Sequence, residues 1–122
     1  MNLDPVRSLF CIFSGEPDTQ GCDPFIELAA ERVKKMLRPD ADEDDVRLGF
    51  LCAAEANFRY QQMKAARGKS EYTYAGKLDI HSDTAAVTCA ERLLRDYYQL
   101  CEDLIVPRSF VFMGIPAAEE EE

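Results

Sequence analysis

Residues 42–63 read DEDDVRLGFLCAAEANFRYQQM, and the fold turns on how this stretch is interpreted. Val46, Phe50, Ala53, Ala54, Asn57 and Phe58 recur at three- and four-residue intervals, the period of an amphipathic helix. Leu51 and Cys52 widen this apolar stripe, which runs on to Met63. Asp42 is the expected N-cap, with Glu43, Asp44 and Asp45 in the first turn, where each carboxylate is favoured by ~0.3–1 kcal/mol at low salt. The acidic cluster is thus explained without a metal: a calcium loop needs ligands spread over ~12 residues around a central glycine. The small run Cys52-Ala53-Ala54 lets a neighbouring helix approach closely. Gly68 marks the expected end of the helix. Asn57 reads as a satisfied core amide or a polar register device, and Glu55 beside it is the one acid whose context suggests partial burial.

Two more helices are predicted. Upstream, Asp23 is the expected N-cap and Pro24 suits the first helical position. Ile26, Ala29, Val33 and Met36, joined by Phe25 and Leu37, form the buried stripe, and Pro39 ends it. Downstream, a helix starts near Ser82 or Asp83 and carries Ala86, Ala90, Leu93, Leu94, Tyr97, Leu100, Cys101 and Leu104 at helical spacing before Pro107. Around Ala75-Gly76-Lys77 the period shifts to two: Tyr72 and Tyr74, then Leu78 and Ile80, predict a hairpin over 71–81. Val6 to Phe13 and Phe110 to Met113 read as short strands. The predicted fold is therefore mainly α, a three-helix bundle with a short β-hairpin between the second and third long helices and strand-like segments at both ends. Residues 1–116 form one small helical domain, and 117–122 read as a disordered acidic tail.

Composition agrees with one ordered domain: 122 residues, 47% hydrophobic and 30% charged. The longest apolar run, Leu9 to Phe13, falls far short of the ~20 residues of a membrane helix, and Asp4 and Arg7 before it do not suit a signal peptide. Five cysteines in odd number, with no CxxC pair, argue against a disulfide framework and for a reducing, cytoplasmic setting. The formal net charge of −9 disfavours nucleic-acid binding, which draws on phosphate neutralisation by Lys and Arg. The charge is nevertheless uneven. Five acids crowd Asp40 to Asp45, four more Glu119 to Glu122, whereas Arg59, Lys64, Arg67, Lys69 and Lys77 face only Glu71 across their stretch. Such blocks attract each other between copies of a chain, although solvated surfaces also look like this.

Chemistry-bearing motifs are missing. Every Cys–His or Ser–His scheme would have to run through the single histidine, His81, which reads as a capping or surface residue. No clustered Cys or His suits zinc, and no GxGxxG, GxxxxGK[ST] or HExxH occurs. No catalytic residue, cofactor or metal site is predicted, and enzyme activity is not expected.

The segments 29–37 (Ala29-Ala30-Glu31-Arg32-Val33-Lys34-Lys35-Met36-Leu37), 44–48 (Asp44-Asp45-Val46-Arg47-Leu48) and 53–60 (Ala53-Ala54-Glu55-Ala56-Asn57-Phe58-Arg59-Tyr60) are together similar to one family. So are Tyr72 to Ile80 and the ending Arg108 to Gly114. Over residues 23–115 the chain resembles the small head–tail connector (head-completion or adaptor) proteins of tailed phages and prophages. The resemblance implies a non-enzymatic part that forms a ring between portal and tail, with portal and tail proteins as partners and a place in the virion. It also implies a helix-first layout, from which the strand reading of Val6 to Phe13 departs. The candidate interface comprises Arg59, Lys64, Arg67, Lys69, Tyr72, Tyr74, Phe110 and Phe112. The alternative is a small cytosolic helical adaptor that binds one protein partner through those aromatics.

Overall fold

The computed structural model describes residues 1–75 and 80–106, with side chains described over 1–67 and 85–106. Four helices follow in order: α1 (Asp4–Ser14), α2 (Asp23–Met36), α3 (Val46–Ala75) and α4 (Ile80–Leu100). The helical class is as the sequence predicts, but the three-helix count is corrected to four.

The added helix is α1, where a strand was expected over Val6 to Phe13. Asn2 Oδ1 accepts the Asp4 N–H at 3.0 Å, Leu3 O accepts the Arg7 N–H at 2.9 Å, and Pro5 sits in the first turn, where no N–H is required. Gly15, at φ 80°, ends the helix with its N–H on Cys11 O at 2.9 Å. Val6 and Phe10, one turn apart, are both fully buried. A lone strand here would leave its backbone groups unpaired, whereas a helix satisfies its own and still buries these side chains.

Asp23 is the first residue of α2 rather than its N-cap. Its carboxylate accepts from Arg7 Nε at 3.1 Å and ties α2 to α1. After Met36 the chain extends at Leu37 and makes an antiparallel bridge with Ile105, beyond α4. Arg38 N–H donates to Leu104 O at 2.9 Å and Val106 N–H to Met36 O at 2.7 Å.

Asp45, not Asp42, caps α3: its Oδ1 accepts the Arg47 N–H at 2.9 Å. Asp42 closes the preceding turn by accepting the Asp44 N–H at 2.9 Å, so Glu43 and Asp44 lie before the helix instead of in its first turn. α3 then runs through Gly68, since one interior glycine costs only ~1 kcal/mol against alanine. The hairpin expected over 71–81 is corrected: Tyr72 and Tyr74 belong to α3 and Ile80 to α4, and 76–79 lie outside the described residues. A two-stranded hairpin is marginal alone, and helices on both sides hydrogen-bond their own backbone. α4 accordingly starts before Ser82.

Leu51 to Phe58 are all buried, eight residues in succession. α3 is therefore the central rod of the bundle, packed by α1, α2 and α4, rather than one of three equal amphipathic helices. The small side chains Cys52, Ala53, Ala54 and Ala56 permit this, because they let helices close in from several sides. Around them pack Ile26, Val33, Leu94, Cys101 and Ile105. Val46, Ala86 and Leu100, expected on buried stripes, are exposed. The predicted C-terminal strand 110–113 and the tail 117–122 lie outside the described residues. Among those described, no helix is long and apolar enough to cross a membrane.

Candidate interaction surface

The predicted basic patch is divided by the fold. Arg59 reaches back one turn, with Nε 3.4 Å from Glu55 Oε2, donates to Gln62 Oε1 at 3.3 Å, and lies 5.6 Å over the Phe58 ring. Lys64 Nζ is 3.9 Å from Glu16 and 5.3 Å over the Tyr60 ring. Tyr60 in turn donates its O–H to Glu16 Oε2 at 2.6 Å, and burial together with that acid pushes the phenol up to about 12. Arg67, farther along α3, is exposed. Lys69, Tyr72 and Tyr74 belong to the α3 backbone, with side chains outside the description, and Phe110 and Phe112 lie outside the described residues. Of the predicted interface, the structure thus brings Arg59 and Lys64 into internal contacts and leaves Arg67 on the surface.

Glu55 is the polar centre of the core. It is 2% exposed and takes Arg32 Nε at 2.7 Å as well as Arg59. Tyr98 stands nearby, its O–H 3.4 Å from Met36 Sδ; burial pushes this phenol far up, the Glu55 charge adds to that, and Arg32 opposes it. Asn57 is buried too and accepts from Gln61 Nε2 at 3.1 Å, so it is the satisfied core amide of the two readings. A carboxylate held by two arginines is geometry for fixing helices together. Arg32 comes from α2, Glu55 and Arg59 from α3, and Tyr98 from α4.

A second charge centre ties the ends of α3 and α4. Arg47 binds Asp45 (3.1 Å) and Asp103 (3.0 Å) and donates to Leu100 O at 3.1 Å. Its guanidinium holds both Asp45 and Asp103 below the ordinary carboxylate range. The thiols of Cys52 and Cys101 are driven up by burial, to about 12 and about 11. Among the described residues, no group of three or more Cys, His, Asp or Glu could hold a metal ion. His81 belongs to the first turn of α4, its side chain outside the description.

The feature that sequence reasoning missed is a groove between α1 and the start of α3. Its volume is about 590 Å³, with Met1, Pro5, Leu9, Val46, Phe50, Glu43 and Asp44 among its lining. Pro5, Ser8 and Leu9 of α1 line it, so reading Val6 to Phe13 as a strand hid it. The dipeptide Asp4-Pro5, which repeats the Asp23-Pro24 start of α2, is the signal that would have revealed it.

Comparison with protein-family models found no match. Searches of curated proteins and of solved structures likewise returned no significant match.

Proposed function

We propose that this chain is a non-enzymatic structural protein of virion assembly, of the head–tail connector kind, which forms a ring of its own copies between portal and tail. The observation that supports this reading best is the way α3 and α4 run on past the shared core. Continuous burial of α3 ends at Phe58; from Arg59 to Arg67 its residues are half-buried or exposed, and Thr84 is followed on α4 by exposed Ala85, Ala86 and Cys89. A helical pair that outruns its own core offers length to a neighbour. Its cations, Arg67 among them, add a means of orienting that contact. The opening helix α1 agrees with the helix-first layout that the resemblance implies, in place of the strand that departed from it.

The test is co-assembly. The chain is mixed with portal and tail proteins, taken from its own gene neighbourhood where that encodes them, and followed by light scattering and electron microscopy. A ring-sized complex seated on the portal is the expected result. A chain that stays monomeric with those partners, or that forms only a one-to-one complex with a single protein as an adaptor would, overturns the reading.

A further inference from the structure

The groove between α1 and α3 holds side chains that the core leaves unused. Val46, at the first helical position of α3, is 73% exposed although it is a large β-branched hydrophobe. It stands beside Leu9 and Phe50, both only partly buried, and beside Met1 and Pro5. Asn2, Ser8, Glu43, Asp44 and Asp45 also line the groove; Glu43 and Asp44 are exposed and, among the described residues, form no ion pair, whereas Asp45 is neutralised by Arg47. A small-molecule pocket places polar groups inside to orient its ligand. Here the lining is mainly apolar and its only charged side chains are the acids 43–45, which is how an amphipathic helix of opposite charge is received.

We infer that this groove seats a basic amphipathic helix from a partner protein, with apolar side chains on Val46, Leu9 and Phe50 and Lys or Arg against Glu43 and Asp44. Among the described residues, charge complementarity disfavours a second copy of the chain. Among the described residues, the other exposed large hydrophobes are Ile12, Leu28 and Leu100. Leu28 lies between Glu27 and Glu31, Leu100 within a turn of Asp96 and Asp103, and no cation is within a turn of Ile12. The arginines near Leu28 and Leu100, Arg32 and Arg47, are already held by Glu55 and by Asp45 with Asp103. This surface is separate from the α3–α4 extension, so the ring reading stands or falls independently by co-assembly with the portal.

The experiment titrates the full chain against a fluorescent synthetic helix of leucine and lysine, and against one of leucine and glutamate with the same apolar face. The Leu/Lys helix binds saturably at one site. Binding weakens by about tenfold or more both in Glu43→Lys/Asp44→Lys and in Val46→Ser, with thermal melts unchanged because all three positions are exposed. The control Asp96→Lys/Glu102→Lys, equal in charge and outside the groove's lining, leaves it intact. The inference is overturned if that control weakens binding equally, if the Leu/Glu helix binds as well, or if Val46→Ser has no effect. It is overturned too if the chain self-associates and Val46→Ser abolishes this, since the groove then takes a second copy.

Discussion

Arg32 holds its Nε 2.7 Å from Oε2 of Glu55, and of the two side chains the arginine is 37% exposed and the carboxylate 2%. This asymmetry decides what removing either partner does. An arginine released from the pair swings into water, whereas Glu55 has nowhere to go. Replacing both cations, Arg32→Met with Arg59→Met, strands a buried carboxylate and should destabilise the fold by about 3–5 kcal/mol. Glu55→Gln keeps shape and some hydrogen bonding, and should cost about 1–2 kcal/mol. Urea unfolding of the two variants checks the order; the reverse order would mean that the arginines, not the acid, are the desolvated groups.

Leu94 and Val46 occupy equivalent places in the apolar pattern of the sequence, yet Leu94 is 1% exposed and Val46 73%. Leu94→Ala should therefore cost about 2–5 kcal/mol, and Val46→Ala no more than about 0.5 kcal/mol. Denaturation midpoints of the pair measure the difference directly.

Those two residues also show what periodicity reveals. Spacing identifies a helix and its general apolar side, and it placed α2, the body of α3 and α4 along the chain. It does not tell how many neighbours surround a helix. The stripe on α3 became burial on every side from Leu51 to Phe58, because the alanines there admit three partners. At the helix start, Val46 shares a groove with α1 but is not covered by it. Short segments were harder to read. Leu9, Cys11 and Phe13 alternate as a strand would, while Val6, Phe10 and Phe13 fit a helix equally well, and over so few residues only packing decides. Of the candidate site, the charge blocks were visible. That Arg59 and Lys64 pair with acids of their own chain depended on Glu55 and Glu16, one buried within α3 and the other in the loop after α1.

Gly49 and Gly15 should respond to alanine with opposite signs. A Cβ on Gly49, within α3, would meet only Val6 Cγ2 at 3.9 Å, ordinary contact. Gly49→Ala should stabilise by about 0.5–1 kcal/mol, since helical glycine carries that entropic penalty. Gly15 ends α1 at φ +80°, where a side chain is strained even though the space is open. Gly15→Ala should destabilise by about 1–2 kcal/mol. Thermal melts that move in the same direction for both would contradict the assigned backbone.

The Arg47 centre predicts an acid limb in stability. Asp45 and Asp103 both titrate below the carboxylate value of 3.8 in the folded chain, chiefly through hydrogen bonds from Arg47. A group whose folded pKa is depressed binds its proton more readily when unfolded, so its contribution is complete above the unfolded pKa and disappears as pH falls through the folded one. Stability should hold from pH ~7 to ~5 and decline below ~4, near the unfolded aspartate pKa. Asp103→Asn should lower the melting temperature at neutral pH and flatten the decline, with the two curves converging once pH has fallen below both the unfolded and the folded pKa. Arg47→Met should flatten it further, since the hydrogen bonds that depress both acids are then lost along with the donor to Leu100 O. Parallel curves for the wild type and Asp103→Asn from pH 7 to pH 2 would place the acid sensitivity elsewhere in the chain.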